Sequence, residues 1–251
     1  MLLYLLLIFT IVAFVISFSF FKKQKQTQPK ELIFKTNSDV YDNEYAEIYD
    51  IITNDYYRKQ KELDTVLATT SNNSVLLDLG SGTGHHVHEL NQKGIKSIGI
   101  DNSSAMIQRS KKYPHHYREG NMLDTDSFYN ESFTHVTCFY YTLYYVQHKQ
   151  QLFENVYKWL TPGGLFIVHL TSKCNYGTPS IQNTNYTYQR KIQENKVYET
   201  ITRGKKVRKN EHKFYLEPIT KIVGMAQQVG FTVVSSERYK NDMFYVFKKP
   251  E

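Results

Sequence analysis

The sequence predicts an α/β protein built on a mostly parallel sheet and carried behind one membrane-spanning helix. Three observations predict it: an uncharged apolar run over residues 1–21, strands alternating with helices from Val75 onward, and a glycine-rich turn, LLDLGSGTG, at the end of the first of those strands. Alternation at this length implies right-handed crossovers and a sheet covered by helices on both faces. With 251 residues and 41% hydrophobic content the chain can bury one full core. Its two cysteines, Cys138 and Cys174, have no C-x-x-C spacing, so they supply no disulfide framework and suit a reducing compartment.

The elements follow in order. MLLYLLLIFTIVAFVISFSFF is apolar on every face, and at 1.5 Å per residue about 20 such residues match a hydrocarbon layer of roughly 30 Å. A cleaved signal peptide is the rival, but the run lacks a positive first region and a small-x-small cleavage site. Lys22, Lys23, Lys25 and Lys30 follow without an acid, which turns the folded part toward the cytoplasm as a single-pass membrane protein. Residues 22–37 read as a basic polar linker and 38–251 as the folded domain. Tyr41, Tyr45, Ile48, Tyr49, Ile52 and Tyr56 recur at spacings of three and four, predicting two helical pieces with one face on a core. SVLLDLG then reads as a strand, HHVHELNQ as a helix, IKSIGIDNS as a strand, SAMIQRSKK as a helix, THVTCFYY as a strand, KQQLFENVYKWL as a helix and GGLFIVHLT as a strand. An insertion over 172–216 follows, where KVYETIT and HKFYLEP alternate on either side of RGKKVRKN and predict antiparallel strands joined by a glycine-bearing turn. GFTVVSSERY and MFYVFKK close the sheet as an antiparallel pair.

Ligands of such sheets bind outside the carboxyl ends of the strands, where the glycine turn sits. Glycine serves there because the backbone takes positive φ or a Cβ would meet the ligand. A dinucleotide fingerprint needs G-x-G-x-x-G. Here the glycines are Gly80, Gly82 and Gly84, and the sixth position is His85. Asp78, two positions before the first glycine, would repel a pyrophosphate and attract an ammonium group. A nucleotide-dependent oxidoreductase is therefore disfavoured.

LLDLGSGTG resembles the first motif of the class I S-adenosylmethionine-dependent methyltransferases, and the resemblance continues in order from about Val40 to the end. It implies a Rossmann-like fold with a mostly parallel seven-stranded sheet ending in a C-terminal antiparallel pair, and S-adenosyl-L-methionine as cofactor. It also implies that Gly80, Ser81, Gly82, Thr83 and Gly84 pass beside the methionine and ribose parts, with Asp78 near the amino group. GIDNSSAMI resembles the second strand end, where Asp101 would accept both ribose hydroxyls and Asn102 and Met106 would flank the adenine. EGNMLD resembles the next motif: Asn121, where the family more often has aspartate, would receive the adenine amino group, with Met122 and Leu123 against the ring. Phe139 and Tyr140 would face the methionine part, and Tyr49 lies on the N-terminal segment that closes over the cofactor in relatives. WLTPGGLFIVHL resembles the turn into the fifth strand, while His135 departs from the usual aspartate. The run YAEIYD with THVTCFYYTLYYVQ is similar to uncharacterised membrane-anchored methyltransferase-like proteins of large DNA viruses. The absence of an Asn-Pro-Pro-Tyr or Asp-Pro-Pro-Tyr element argues against methylation of adenine bases or glutamine.

Methyl transfer from a sulfonium is an in-line displacement that alignment and desolvation can accelerate, and a base is needed only where the acceptor must lose a proton. Tyr41, Tyr45, Tyr49, Tyr144, Tyr145, His148 and His169 are candidates, but in a chain with 21 tyrosines packing comes first, so no catalytic residue is singled out. His85, His86 and His88 read as a solvated helix face, and no metal site is expected. Between Arg190 and Lys213 nine basic residues face three acidic ones. Lys205, Lys206, Arg208 and Lys209 are expected to be a solvated hairpin tip or, more sharply, a contact with anionic lipid rather than nucleic acid. The expected activity is methyl transfer to a small molecule, lipid or protein near a membrane. The alternative is an inactive cofactor-binding scaffold docking through this hairpin.

Overall fold

The computed structural model describes residues 31–174 and 185–251, together with Ser17 and Ile181. The membrane helix expected over 1–21 lies, Ser17 apart, outside the described residues. Among the described residues no helix is long and apolar enough to cross a membrane.

The chain enters through strand β1 (Glu31–Thr36) and helices α1 (Asn43–Ile52) and α2 (Tyr56–Leu67). The alternation follows: β2 (Val75–Leu79), α3 (His85–Gln92), β3 (Lys96–Asp101), α4 (Ser104–Ser110), β4 (His116–Glu119), β5 (Phe133–Cys138), α5 (Lys149–Trp159) and β6 (Leu160–Thr171). Three more strands come next, β7 (Thr187–Gln193), β8 (Lys196–Arg203) and β9 (Lys206–Lys213), before α6 (Ile219–Val229), β10 (Thr232–Tyr239) and β11 (Asp242–Lys248). The main sheet has seven strands in the order β10-β11-β6-β5-β2-β3-β4, all running the same way except β11, which is antiparallel to both its neighbours. The fold class and the C-terminal antiparallel pair expected from the sequence are both present.

Local chemistry explains the element starts. The side chains of Asp42, Asp55 and Ser103 accept the N–H groups of Tyr45, Arg58 and Met106, so α1, α2 and α4 each begin on a capped donor. β2 is a nearly unbroken apolar run because helices cover both its faces; Leu76, Leu77 and Leu79 are buried. On one side Phe153, Trp159, Phe166 and Phe247 pack with Ile222 and Ala226 of α6; on the other, Leu63 and Val66 of α2 meet Leu90 and Ile167.

The insertion forms a second sheet, in the order β1-β9-β8-β7, with β1 running parallel to β9. Two sequence expectations are corrected here. The linker expected up to residue 37 is a strand from Glu31, because β9 would otherwise expose a row of unpaired backbone groups and ELIFKT supplies the partner. RGKKVRKN is not a solvated tip: only its first residues turn, and β9 begins at Lys206. The strand was hidden because its inward positions are polar. Arg208, Asn210 and His212 are 2%, 2% and 3% exposed.

Arg208 is thus a buried anchor and not a lipid contact. Its Nη1 donates to Asp42 Oδ1 at 2.8 Å and Oδ2 at 3.0 Å, Nη2 donates to the Val40 carbonyl at 2.7 Å, and Nε donates to Asn210 Oδ1 at 2.9 Å. Lys206 pairs with Glu44 at 3.1 Å. Burial alone would raise the Asp42 carboxyl; the hydrogen bonds from Arg208 and the Tyr45 N–H outweigh it and hold it below the usual carboxylate range. Arg208→Leu leaves Val40, Asp42 and Asn210 without their shared donor and is expected to cost about 3 kcal/mol or more, the scale for breaking a buried ion pair. Urea denaturation followed by tyrosine and tryptophan fluorescence measures it, and an unchanged midpoint would contradict this account.

Candidate active site

At the carboxyl ends of β2, β3 and β5 lies a cavity of about 450 Å³, within the range of small-molecule sites. Tyr49, Gly80, Gly82, Asp101, Asn102, Met106, Asn121, Met122, Leu123 and Tyr140 all line it, so the fold brings together ten of the residues expected from sequence. Asp78, Ser81, Thr83 and Phe139 line a smaller adjoining recess instead, together with Arg58 and His86.

The turn is built by its glycines and by Asp101. Gly80 has φ +65°, and a Cβ there would stand 2.4 Å from Thr142 Cγ2. Asp101 Oδ2 accepts the Gly82 N–H and Oδ1 the Ser103 N–H, both at 2.9 Å, so one carboxylate ties the end of β3 to the turn after β2. Its carboxyl is raised by burial, with these two N–H groups opposing the rise. Asp78 is buried, accepts the Thr137 hydroxyl at 2.7 Å, and is pushed up to about 6 chiefly by burial, with Glu62 and Asp101 adding to it against His86 and Thr137. The Asn121 side-chain oxygen accepts the Leu123 N–H at 2.9 Å and shapes the third loop.

Several expected residues also hold the turn and its surroundings in place. The Thr83 hydroxyl donates to Asp50 of α1, tying that helix to the turn. Gly84, φ +83°, opens α3 where a Cβ would meet the Tyr117 ring at 2.7 Å, and it lines neither cavity. Phe139 packs on His86 and Phe244. The three histidines of α3 do not form a solvated face: His86 Nε2 donates to Glu62 Oε2 at 2.9 Å, and His88 stacks on Tyr113 and bonds His115. Among the described residues no group of His, Cys, Asp and Glu could hold a metal ion.

The sequence reading missed Arg58 and Glu62, which look like an ordinary surface i, i+4 pair. Both are buried; Arg58 Nη1 donates to Glu62 Oε1 at 2.6 Å, and its guanidinium lies 4.0 Å from the Tyr140 ring centroid. Burial would raise the Glu62 carboxyl, but Arg58 and His86 hold it at about 2. Tyr140, a non-glycine residue at φ +55°, sits strained at the end of β5 above this pair.

Of the proposed bases, Tyr41, Tyr49, Tyr145 and His148 line the cavity. Tyr45 is buried beside Tyr41 with ring centroids 5.6 Å apart. The Tyr144 hydroxyl donates to the Thr171 carbonyl in the core, and His169 is buried 3.3 Å from Asp242. His212 and Glu199, on β9 and β8, were also missed, although both stand directly behind the tyrosine wall. A signal existed in KVYETIT: Glu199 alternates with Val197 and Ile201, and all three are buried.

Residues 77–168 match the family model described as a methyltransferase domain. The chain is 29% identical over 147 residues to a dTDP-4-amino-2,3,4,6-tetradeoxy-D-glucose N,N-dimethyltransferase of Saccharopolyspora spinosa, covering 54% of this chain and 57% of that protein. It spans little more than half the length of the curated relatives it matches. Its fold is similar to the CcbJ methyltransferase of Streptomyces caelestis, with TM-score 0.68 and 15% identity over 84% of this chain and 98% of that one. It is also similar to an S-adenosylmethionine-dependent methyltransferase of Clostridium acetobutylicum, with TM-score 0.61 and 19% identity over 83% and 99%. At these identities the structural likeness is one of fold. The glycine turn, the β3 carboxylate and the strand ends around the cavity all fall within or beside the 77–168 stretch that matches the methyltransferase domain family.

Proposed function

We propose that this protein transfers the methyl group of S-adenosylmethionine to a small polar acceptor. The observation that carries the reading is the shared cavity: Asp101 and the glycine turn line it together with Lys213, Tyr215, Gln147 and His148. Bound there, the cofactor supplies an electrophilic methyl group on sulfur, and its carbon–sulfur bond breaks as the bond to the acceptor forms. Asp101 has lone pairs left for paired hydroxyls. Asp78 offers a buried carboxylate to an ammonium group. Tyr41, Tyr49, Tyr140 and Tyr145 present aromatic surface suited to a cationic, poorly hydrated centre. Lys213, Gln147 and His148 in the same lining favour an acceptor that carries hydrogen-bonding groups. The amino-sugar substrate in the name of the Saccharopolyspora relative supports an amine among the acceptors.

We place this site beside a membrane, held by residues 1–21 with the domain on the cytoplasmic side, as the lysines that follow support. Leu32 and Phe34 of β1 are 53% and 66% exposed shortly after that segment, and Lys209 stands 5.9 Å from the Phe34 ring. With Arg208 and Lys206 engaged by carboxylates, the headgroup contact falls to Leu32, Phe34, Lys205 and Lys209.

Three outcomes follow. Asp101→Ala weakens S-adenosylhomocysteine binding by roughly 10- to 100-fold, the scale of about 1–3 kcal/mol for lost charge-assisted hydrogen bonds. Calorimetry measures this, and a wild-type protein that binds NADH but neither form of the cofactor would sink the reading. Asp78→Asn moves stability and binding in opposite directions. The folded state keeps the Asp78 proton between 3.8 and about 6 while the unfolded chain has lost it, so stability falls as pH rises through that window. The substitution therefore stabilises the unliganded protein at pH 7.5 by about 1–3 kcal/mol and weakens cofactor binding; a lowered melting temperature would show that Asp78 is merely structural. Finally, the full chain stays in the membrane pellet after alkaline carbonate extraction, and its release would contradict the anchor.

A further inference from the structure

One continuous path of hydrogen bonds leads out of the cavity into the inserted sheet. Tyr41 lines the cavity, and its hydroxyl donates to the Tyr145 hydroxyl at 2.7 Å. Tyr145 lies 2.6 Å from His212 Nδ1, and His212 Nε2 lies 2.9 Å from Glu199 Oε2. A carboxylate only accepts, so Nε2 carries the hydrogen and Nδ1 turns its lone pair to the Tyr145 hydroxyl. Glu199 and His212 are both 3% exposed. The remaining acceptor capacity of Glu199 is taken by Asn210 Nδ2 at 3.1 Å and by the Tyr188 hydroxyl.

We propose that His212, oriented by Glu199, is the terminal proton acceptor of methyl transfer, reached from the cavity through Tyr145 and Tyr41, and that the methyl acceptor is a protic nitrogen or oxygen. The inference rests on the cavity being a methyl-transfer site. The acceptor's proton passes to the Tyr41 oxygen as the Tyr41 proton moves to Tyr145 and the Tyr145 proton to His212 Nδ1. The methylated acceptor is left neutral, and the unit of positive charge brought by the sulfonium ends as an imidazolium facing Glu199. Atoms and charge balance, and the path resets by the same route in reverse when solvent reaches the emptied cavity. Tyr41 and Tyr145 relay the proton in this scheme. Burial, with nearby Tyr145 and Glu199, keeps the Tyr41 phenol well above its ordinary value, so it passes a proton on without resting as a phenolate. Burial would raise the Glu199 carboxyl, but His212, Tyr188 and Asn210 hold it at about 2, so a negative charge awaits the proton. The titratable and charged groups around His212 are Glu199 on β8, Tyr41 and Tyr45 from the N-terminal segment, and Tyr145 after β5. At one remove stand Tyr188 and Arg190 on β7, behind Glu199, and Arg208, behind Asn210. A base at the end of a proton path has work only when the acceptor must lose a proton, which is why a tertiary amine or thioether does not fit.

The test needs no acceptor. S-Adenosylmethionine and S-adenosylhomocysteine binding to the full chain are measured by calorimetry in two buffers of different ionisation heat between about pH 6 and pH 8, the range in which histidine titrates. A sulfonium opposes an imidazolium on the path and a thioether does not, so the wild type takes up more protons with S-adenosylhomocysteine than with S-adenosylmethionine. His212→Gln, whose amide can still bond Glu199, binds both ligands within a few-fold of wild type and loses the difference. If that variant does not fold, Glu199→Gln replaces it and shifts the extra uptake to lower pH by removing the counter-charge. An equal uptake with the two ligands in wild type, a difference that survives His212→Gln, or one whose pH dependence Glu199→Gln leaves unchanged, overturns the relay. Failure of wild type to bind either ligand overturns the cofactor reading instead.

Discussion

The Arg208 guanidinium holds the molecule's two sheets in their working relation. It reaches from the inserted sheet to Asp42, Glu44 and the Val40 carbonyl, all in the segment that leads into and begins α1. Asp42 meanwhile caps α1, so one carboxylate both starts the helix and receives the strand. That helix carries Tyr45 and Tyr49 and follows directly on Tyr41, while β9 carries His212 two positions after Asn210. Docking β9 through Arg208 therefore sets Tyr41 against Tyr145 and His212 with ring centroids 5.7 and 6.1 Å apart. Without a charged anchor, a sheet whose inward face is Arg, Asn and His would have no reason to leave water.

The buried carboxylates around the cavity fall into two groups. Glu62 and Glu199 each have a cationic or hydrogen-bonding partner in the protein and are held at about 2. Asp78 and Asp101 have hydroxyl or N–H partners but form no ion pair among the described residues, and burial raises both. The first pair is complete as it stands and organises neighbouring side chains. The second pair is costly to keep ionised in the empty protein, and a ligand bearing an ammonium group and vicinal hydroxyls would relieve that cost. The cleft is thereby electrostatically selective before any shape is considered, in keeping with the rejection of a pyrophosphate.

Strain and close approach concentrate at the same place. Gly80 leaves no room for a Cβ beside Thr142, Tyr140 takes a left-handed backbone over Arg58, and Tyr117 closes on Gly84. These contacts hold the glycine turn after β2 closely against β4 and against the residues that follow β5.

The sequence by itself determined the alternation that builds the main sheet and the glycine turn at its carboxyl edge. Val75 to Gly84 and Lys96 to Asp101 are local patterns in which apolar runs, glycines and an acid at a strand end each have one economical structural meaning. Ten residues expected from the family resemblance meet in one cavity. Only the tertiary structure decided the inserted sheet and the side chains it brings to that cavity. β1 was invisible because six residues after a polar tract become a strand only when β9 offers an edge, and β9 was invisible because its buried face is polar. Arg58, Glu62, Glu199, Arg208 and His212 read as surface charges along the chain. Each is buried because a partner satisfies it, Glu62 for Arg58 within one helix and a residue of another element for the rest, and burial of a charge is a property of the pair that no single position in a sequence carries.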